Sequence, residues 1–152
     1  MTSFSATAEA SPNIALVKYW GKRDERLFLP TNNSISATMD ELLRTRTTTF
    51  FDSSLRADEL WLNGEKQDAR ELTRFLDLVR VRAKTKLKSR VASINCFPTG
   101  AGFASSASGY AALAVACNKA LSLGLDDVGL SILARQGSGS ACRSVYGGFV
   151  EW

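Results

Sequence analysis

With 152 residues the chain has the length of a single domain, long enough to bury a core. Its 45% hydrophobic and 22% charged content is that of an ordinary globular protein, and its net charge of +4 is mildly basic. Histidine is absent, which excludes imidazole general-base catalysis and histidine-ligated metals. The three cysteines, Cys96, Cys117 and Cys142, are far apart and form no Cys-x-x-Cys pair. They argue against a disulfide framework or a zinc site and for a reducing, cytoplasmic setting. The opening Met-Thr-Ser-Phe-Ser-Ala-Thr lacks a basic start and an apolar core, and no run of about 18 apolar residues follows, so neither a signal peptide nor a membrane span is expected.

Residues 14–20 read as a strand that leads into a turn at Gly21. Residues 44–51, rich in Thr and Phe, and 60–62, ending at Asn63-Gly64, predict antiparallel strands joined by tight turns. From Asp68 the period changes. Leu72, Phe75, Leu76, Val79, Ala83 and Leu87 recur at three- and four-residue spacing and form one helical stripe. Eight of the 19 Lys and Arg residues fall between Arg70 and Arg90, opposed only by Glu71 and Asp77. Without an aromatic ladder beside it, this cluster reads as a solvated helix face and not as a nucleic-acid surface. Residues 91–97 predict a buried strand that ends at Pro98, and 105–123, Ala- and Leu-rich without proline, predict a helix. Asp126 or Asp127 caps a further helix, which Gly137 stops, and 145–152 reads as a last strand. Mixed strands and helices with hairpin signals define an α+β fold, with a mixed or antiparallel sheet carrying helices on one face. The sequence stops at Glu151-Trp152 within that last strand, as a partial chain would.

Three segments carry the chemistry. Lys18-Tyr19-Trp20-Gly21-Lys22-Arg23 and Gly137-Ser138-Gly139-Ser140-Ala141-Cys142-Arg143-Ser144 set small, flexible residues beside fixed cations and hydroxyls, a combination suited to polyanions. The third, Pro98-Thr99-Gly100-Ala101-Gly102-Phe103-Ala104-Ser105-Ser106-Ala107-Ser108-Gly109, follows a strand and opens a helix. Its glycines admit close backbone approach, and the free N–H groups of the helix start attract an anion. Ser105, Ser106 and Ser108 add hydroxyls for phosphate or Mg²⁺. Neither G-x-x-x-x-G-K-[ST] nor G-x-G-x-x-G occurs, and a glycine-rich turn by itself needs no ligand.

The pattern Pro-x-x-x-Gly-x-x-Ser-Ser-Ala resembles the nucleotide-phosphate loop of the GHMP kinases, with Phe103 in place of a commoner Leu. Asn13-Ile14-Ala15, the 18–24 block, Leu29-Pro30-Thr31-Asn32-Asn33-Ser34-Ile35-Ser36, Trp61-Leu62-Asn63-Gly64, Phe97-Pro98-Thr99 and the closing 137–152 block are together similar to the diphosphomevalonate decarboxylase family. Cys96 stands where that family has Asn, and Gly100 where it often has Ala; neither change touches a charge. The resemblance implies a GHMP-kinase N-terminal domain, like domain 2 of ribosomal protein S5. It also implies ATP-dependent decarboxylation of (R)-5-diphosphomevalonate to isopentenyl diphosphate with Mg²⁺, in a cytoplasmic homodimer that takes neither nucleic acid nor membrane as a partner.

By the same resemblance, Tyr19, Trp20, Gly21, Lys22, Arg70, Ser138, Gly139, Ser140, Ala141, Cys142 and Arg143 hold substrate, with Trp20 equally readable as a core residue. Asn13, Pro98, Gly100, Ala101, Gly102, Ala104, Ser105, Ser106 and Ser108 serve ATP, with Ser106 also reaching Mg²⁺. Arg143, Lys18 and Ser106 are the catalytic candidates. The aspartate that faces the 3-hydroxyl in this family lies in a second half of the polypeptide that this sequence does not contain, so the chain alone is expected to be inactive; neither Asp24 nor Asp40 inherits that role. The nearest enzymatic alternatives are a phosphomevalonate decarboxylase and a mevalonate 3-kinase. Lys22 together with the full 138–143 block favours the diphosphate over both. A non-catalytic nucleotide-binding relic is the alternative of another class.

Overall fold

The computed structural model describes residues 2–39, 43–97 and 105–152. The described chain runs through β1 (Ser3–Ala10), β2 (Asn13–Val17), β3 (Lys22–Asp24), β4 (Leu29–Pro30), β5 (Ile35–Thr38), β6 (Thr45–Asp52), β7 (Glu59–Leu62) and β8 (Glu65–Gln67). It continues through α1 (Arg70–Ala83), β9 (Lys88–Asn95), α2 (Ser105–Leu121), α3 (Asp127–Arg135), a 3-10 segment Gly139–Val145 and β10 (Phe149–Glu151). The strands form a five-stranded sheet in the order β1-β6-β9-β7-β8, a three-stranded sheet β10-β5-β2 and the pair β3-β4.

Period-two alternation sets the large sheet. On β6, Thr45, Thr47, Thr49 and Phe51 point inward and are buried, while Arg46 and Phe50 face outward. Buried threonine hydroxyls need partners, and β9 supplies them: Thr47 shares a 2.8 Å hydrogen bond with Ser93 and Thr49 another of 2.8 Å with Ser89. Phe51 and Val91 from this face meet Leu72, Phe75, Leu76 and Val79 of α1 and Leu113, Ala114 and Cys117 of α2 in one core. Burial in that core pushes the Cys117 thiol up to about 12. The α+β architecture with helices on one face is as expected.

Several boundaries differ from the sequence reading. β7 does not pair with β6; it lies parallel to β9. Between the two, the chain reverses through the hairpin to β8 and returns by α1, a connection long enough for parallel pairing. The Asn63-Gly64 turn joins β7 to β8, with φ of 51° and 86° at its two central residues. α1 stops at Ala83, where Lys84 adopts a left-handed conformation and its N–H bonds back to Arg80, so Leu87 packs on the core from beyond the helix. Asp126 is the cap of α3, accepting from Gly129 N at 2.8 Å. The last strand begins only at Phe149, because the preceding residues coil into the 3-10 segment. The N-terminal residues, read from sequence only for targeting signals, form β1, paired along its whole length with β6.

Beside the core, Arg80 is 6% exposed. Its guanidinium donates to both oxygens of Asp58, at 3.1 and 2.8 Å, and to Asp77 Oδ1 at 3.1 and 2.8 Å. Burial alone would raise the Asp58 carboxyl, but Arg80 and the Ser89 N–H outweigh it and hold it below the usual carboxylate range.

Candidate functional site

The 3-10 segment and the strands β2 and β5 meet around a second buried guanidinium. Arg143 is 2% exposed. Its Nη1 donates to Ser34 Oγ at 2.6 Å, and its Nε and Nη2 donate to Asn13 Oδ1 at 3.3 and 3.2 Å. The Trp152 ring lies 5.6 Å from its Cζ. Among the described residues no carboxylate pairs with it. Burial accordingly lowers its pKa from the ordinary arginine value, although a guanidinium stays charged at any physiological pH. Asn13 fixes this geometry from the other side: its Nδ2 donates to Ser140 O at 3.0 Å and to Ser144 Oγ at 2.8 Å. Sequence reading gave Asn13 to the nucleotide. The structure places it against Arg143, because β2 runs beneath the 3-10 segment.

Tyr19 completes the cluster. Its ring meets Trp152 edge-on with centroids 4.9 Å apart, and its hydroxyl sits over Gly139, where a Cβ would come within 2.7 Å. Gly137 is needed for a similar reason: a Cβ there would stand 2.1 Å from the Tyr110 ring. Ser138 and Ser140 are half-buried at the segment's start, available as hydroxyl donors. Ala141 belongs to the core, and the Cys142 thiol turns inward to donate to Gly139 O at 3.1 Å. Burial pushes that thiol up to about 11, so these two residues offer a ligand no reactive side chain.

The 18–23 segment borders this cluster in a braced turn. Asn32 accepts from Trp20 N at 2.9 Å and donates to Lys18 O at 3.3 Å, while Thr31 Oγ1 donates to Trp20 O. Gly21 takes φ of 71°, which a side chain would resist. Lys18 is exposed, and Trp20, 76% exposed, is no core residue. Lys22 rests 3.4 Å from Glu25 and 4.3 Å from the centre of the Phe28 ring.

A second area lies at the start of α2. A cavity of about 240 Å³ is walled by Leu60, Leu62, Leu72, Val91 and Leu113, with Ser105, Ser106, Gly109 and Tyr110 contributing from the helix. Apolar walls beside a helix N-terminus suit a flat heterocycle joined to an anion. Ser106 is exposed there and Ser105 half-buried, whereas Ser108 is fully buried in a 2.6 Å hydrogen bond with Thr45. Ser108 therefore fastens α2 to β6 and is not among the residues that line the cavity. Pro98, Gly100, Ala101, Gly102 and Ala104 lie outside the described residues. Arg70, at the start of α1, pairs with Asp68 at 2.5 Å and shares no cavity with the Arg143 cluster. Among the described residues no group of three or more carboxylates and cysteines stands ready to hold a metal, and no helix is long and apolar enough to cross a membrane. Sequence reading missed roles for Ser34 and Trp152; neither bears a charge or sits in a glycine-rich run.

Helices on one face of a mixed sheet, shared with the solved structures below, define the GHMP-kinase fold. Residues 10–152 match the model of the diphosphomevalonate decarboxylase-like N-terminal domain. The diphosphomevalonate decarboxylase of Ganoderma lucidum is 45% identical over 100% of this chain and 42% of its own length. The crystal structure of mevalonate diphosphate decarboxylase from Staphylococcus aureus superposes with a TM-score of 0.94 at 51% identity, covering 99% of this chain and 46% of that one. The structure of MDDEF in complex with MVAPP, AMPPCP and magnesium gives a TM-score of 0.94 at 50% identity, covering 99% and 47%. The chain belongs to the diphosphomevalonate decarboxylase family. It spans less than half the length of these relatives.

Proposed function

We propose that the chain provides the nucleotide- and substrate-binding part of an enzyme that decarboxylates (R)-5-diphosphomevalonate at the expense of ATP. The products are isopentenyl diphosphate, CO₂, ADP and phosphate. The observation that carries this reading is Arg143, a buried cation held by neutral acceptors and without a carboxylate partner among the described residues. A buried charge is costly unless a partner arrives, and the matching partner is an anion. Binding of MVAPP by a relative supports the choice of anion.

In this reading the Arg143 fork grips the substrate carboxylate or its neighbouring phosphate and orients C3 for loss of CO₂. Asn13 and Ser34 hold the fork in place. Tyr19, Ser138 and Ser140 donate hydroxyls to the substrate, Gly21 and Gly139 admit it by their lack of side chains, and Trp20 walls the entrance. Lys18 and Lys22 supply mobile charge, Lys22 by leaving Glu25. The cavity at α2 takes the nucleotide base, and the N–H groups of the helix start with Ser105 and Ser106 take phosphate oxygens. Mg²⁺ bound with ATP neutralises phosphate charge, and Ser106 offers the exposed hydroxyl suited to it; an ion that keeps phosphate and water ligands fits a site with few protein carboxylates. The reading extends to a cytoplasmic homodimer with no nucleic-acid or membrane partner.

The test measures ATP-dependent release of CO₂ from carboxyl-labelled (R)-5-diphosphomevalonate, alongside calorimetric binding of ATP and pyrophosphate. The 152-residue chain is expected to bind both ligands and release no CO₂. The same chain joined to the second half of a relative is expected to turn over. Release by the chain alone would overturn its inactivity, and a joined protein that binds neither ligand would overturn the whole reading.

A further inference from the structure

A polar pocket of about 270 Å³ opens between the β3-β4 pair and the end of α3, lined by Arg23, Thr31, Asn32, Asn33, Arg135 and Trp152 among others. It shares no lining residue with the cavity at α2, and it meets the Arg143 cluster only through the Trp152 ring. Two features of its walls are unusual. No Asp or Glu side chain is among its described lining residues, although two arginines are. Arg135 Nε is closed off from solvent and makes no hydrogen bond with a described residue.

The ordinary explanation for an arginine in the last turn of a helix is that it bonds the free carbonyls there. Those carbonyls are already taken. Ile132 O accepts from Gln136 Nε2 at 3.2 Å, Leu133 O from Gln136 N at 3.1 Å, and Ala134 O from Gly137 N at 3.0 Å and Ser138 N at 3.2 Å. The acids nearby are also engaged. Asp24 accepts from Leu27 N, Glu25 pairs with Lys22, and Glu151 accepts from Asn33 Nδ2 at 3.0 Å. Arg23, exposed on β3, has no ion pair among the described residues. Two arginines line one polar pocket, one of them with an Nε that has no partner among the described residues, and an oxyanion suits both.

We propose that this pocket is a second anion site, which takes one free phosphate-class oxyanion between Arg23 and Arg135, separate from the anion held at Arg143. Trp152 is the partition between the two. The site lies beyond the proposed reaction, and its occupancy does not depend on turnover.

The experiment titrates the chain with inorganic phosphate and follows the Arg135 Nε–H resonance in a proton–nitrogen spectrum, with phosphorus NMR reporting the bound fraction. The resonance is expected to shift on saturation in the native chain and in Arg143→Gln alike. In Arg23→Gln/Arg135→Gln the affinity of this site falls by at least about tenfold, as loss of two charge-assisted donors requires. If Arg135→Gln does not fold, Arg23→Gln alone and Arg135→Lys are used, and a several-fold weakening is expected in the first. An unmoved Arg135 resonance at saturating phosphate, or unchanged affinity in the variants, overturns the proposal. So does pyrophosphate that displaces two phosphates per molecule, since the pocket would then be an extension of the Arg143 site.

Discussion

Arg80 and Arg143 are both arginines closed off from water, at 6% and 2% exposure, yet the chain treats them in opposite ways. Arg80 is met by two carboxylates and raised above the ordinary arginine pKa, because Asp58 and Asp77 outweigh the burial that would lower it. Arg143 is met by an amide oxygen, a hydroxyl and an indole face, and burial lowers its pKa further than the neighbouring Cys142 and Tyr19 raise it, with no carboxylate paired to it among the described residues. The first is a finished structural contact that ties the approach to β7 to α1 and β9. The second is oriented by neutral groups and has no carboxylate beside it among the described residues, which is why the proposed function gives it the substrate anion.

The largest expected effect tests the finished side. Asp58→Ala strands Arg80 beside the core and is expected to cost about 3–5 kcal/mol in urea unfolding, while anion binding by the folded fraction is retained. Arg143→Gln should reverse the pattern: pyrophosphate affinity by calorimetry falls by about tenfold or more, and stability stays within about 1 kcal/mol because Gln still offers a donor to Ser34 and Asn13. Equal losses of stability in the two variants would erase the distinction. Acid titration separates them further. Asp58 is held below its unfolded value, so its contribution is present above about pH 4 and is lost as pH falls through the lower folded value. Urea midpoints between about pH 2 and 6 should fall less steeply in Asp58→Asn and keep the native slope in Arg143→Gln. Glu9, Asp52, Glu59 and Asp68, also held low, sustain the rest of that slope. The smallest effect belongs to Asp77→Asn, because its carboxylate is mostly in water: a loss below about 1 kcal/mol by the same unfolding assay.

Much of the fold was legible because it follows periods. The Leu72-Phe75-Leu76-Val79 stripe and the Asn63-Gly64 turn state local rules that the folded chain obeys. β1 was not legible, since Ser-Phe-Ser-Ala-Thr alternates too weakly to be read without its partner β6. Thr45, Thr47 and Thr49 look like surface residues in sequence, and only partners on β9 and α2 (Asn95 and Ser108 for Thr45, Ser93 for Thr47, Ser89 for Thr49) make them fit to be buried. Arg143 could be singled out as a cation in a glycine-serine run, but that no described carboxylate pairs with it is a fact of three dimensions. By resemblance Asn13 goes to the nucleotide and Ser108 to its phosphates, whereas tertiary contacts bond both side chains to the protein.

Tyr110 takes part in both halves of the site. Its ring packs against Phe75 with centroids 5.3 Å apart, walls the cavity at α2 and lies directly on Gly137, where the segment that bears Arg143 begins. With no side chain at Gly137, ring and backbone touch directly, so any side chain placed there must displace one or the other.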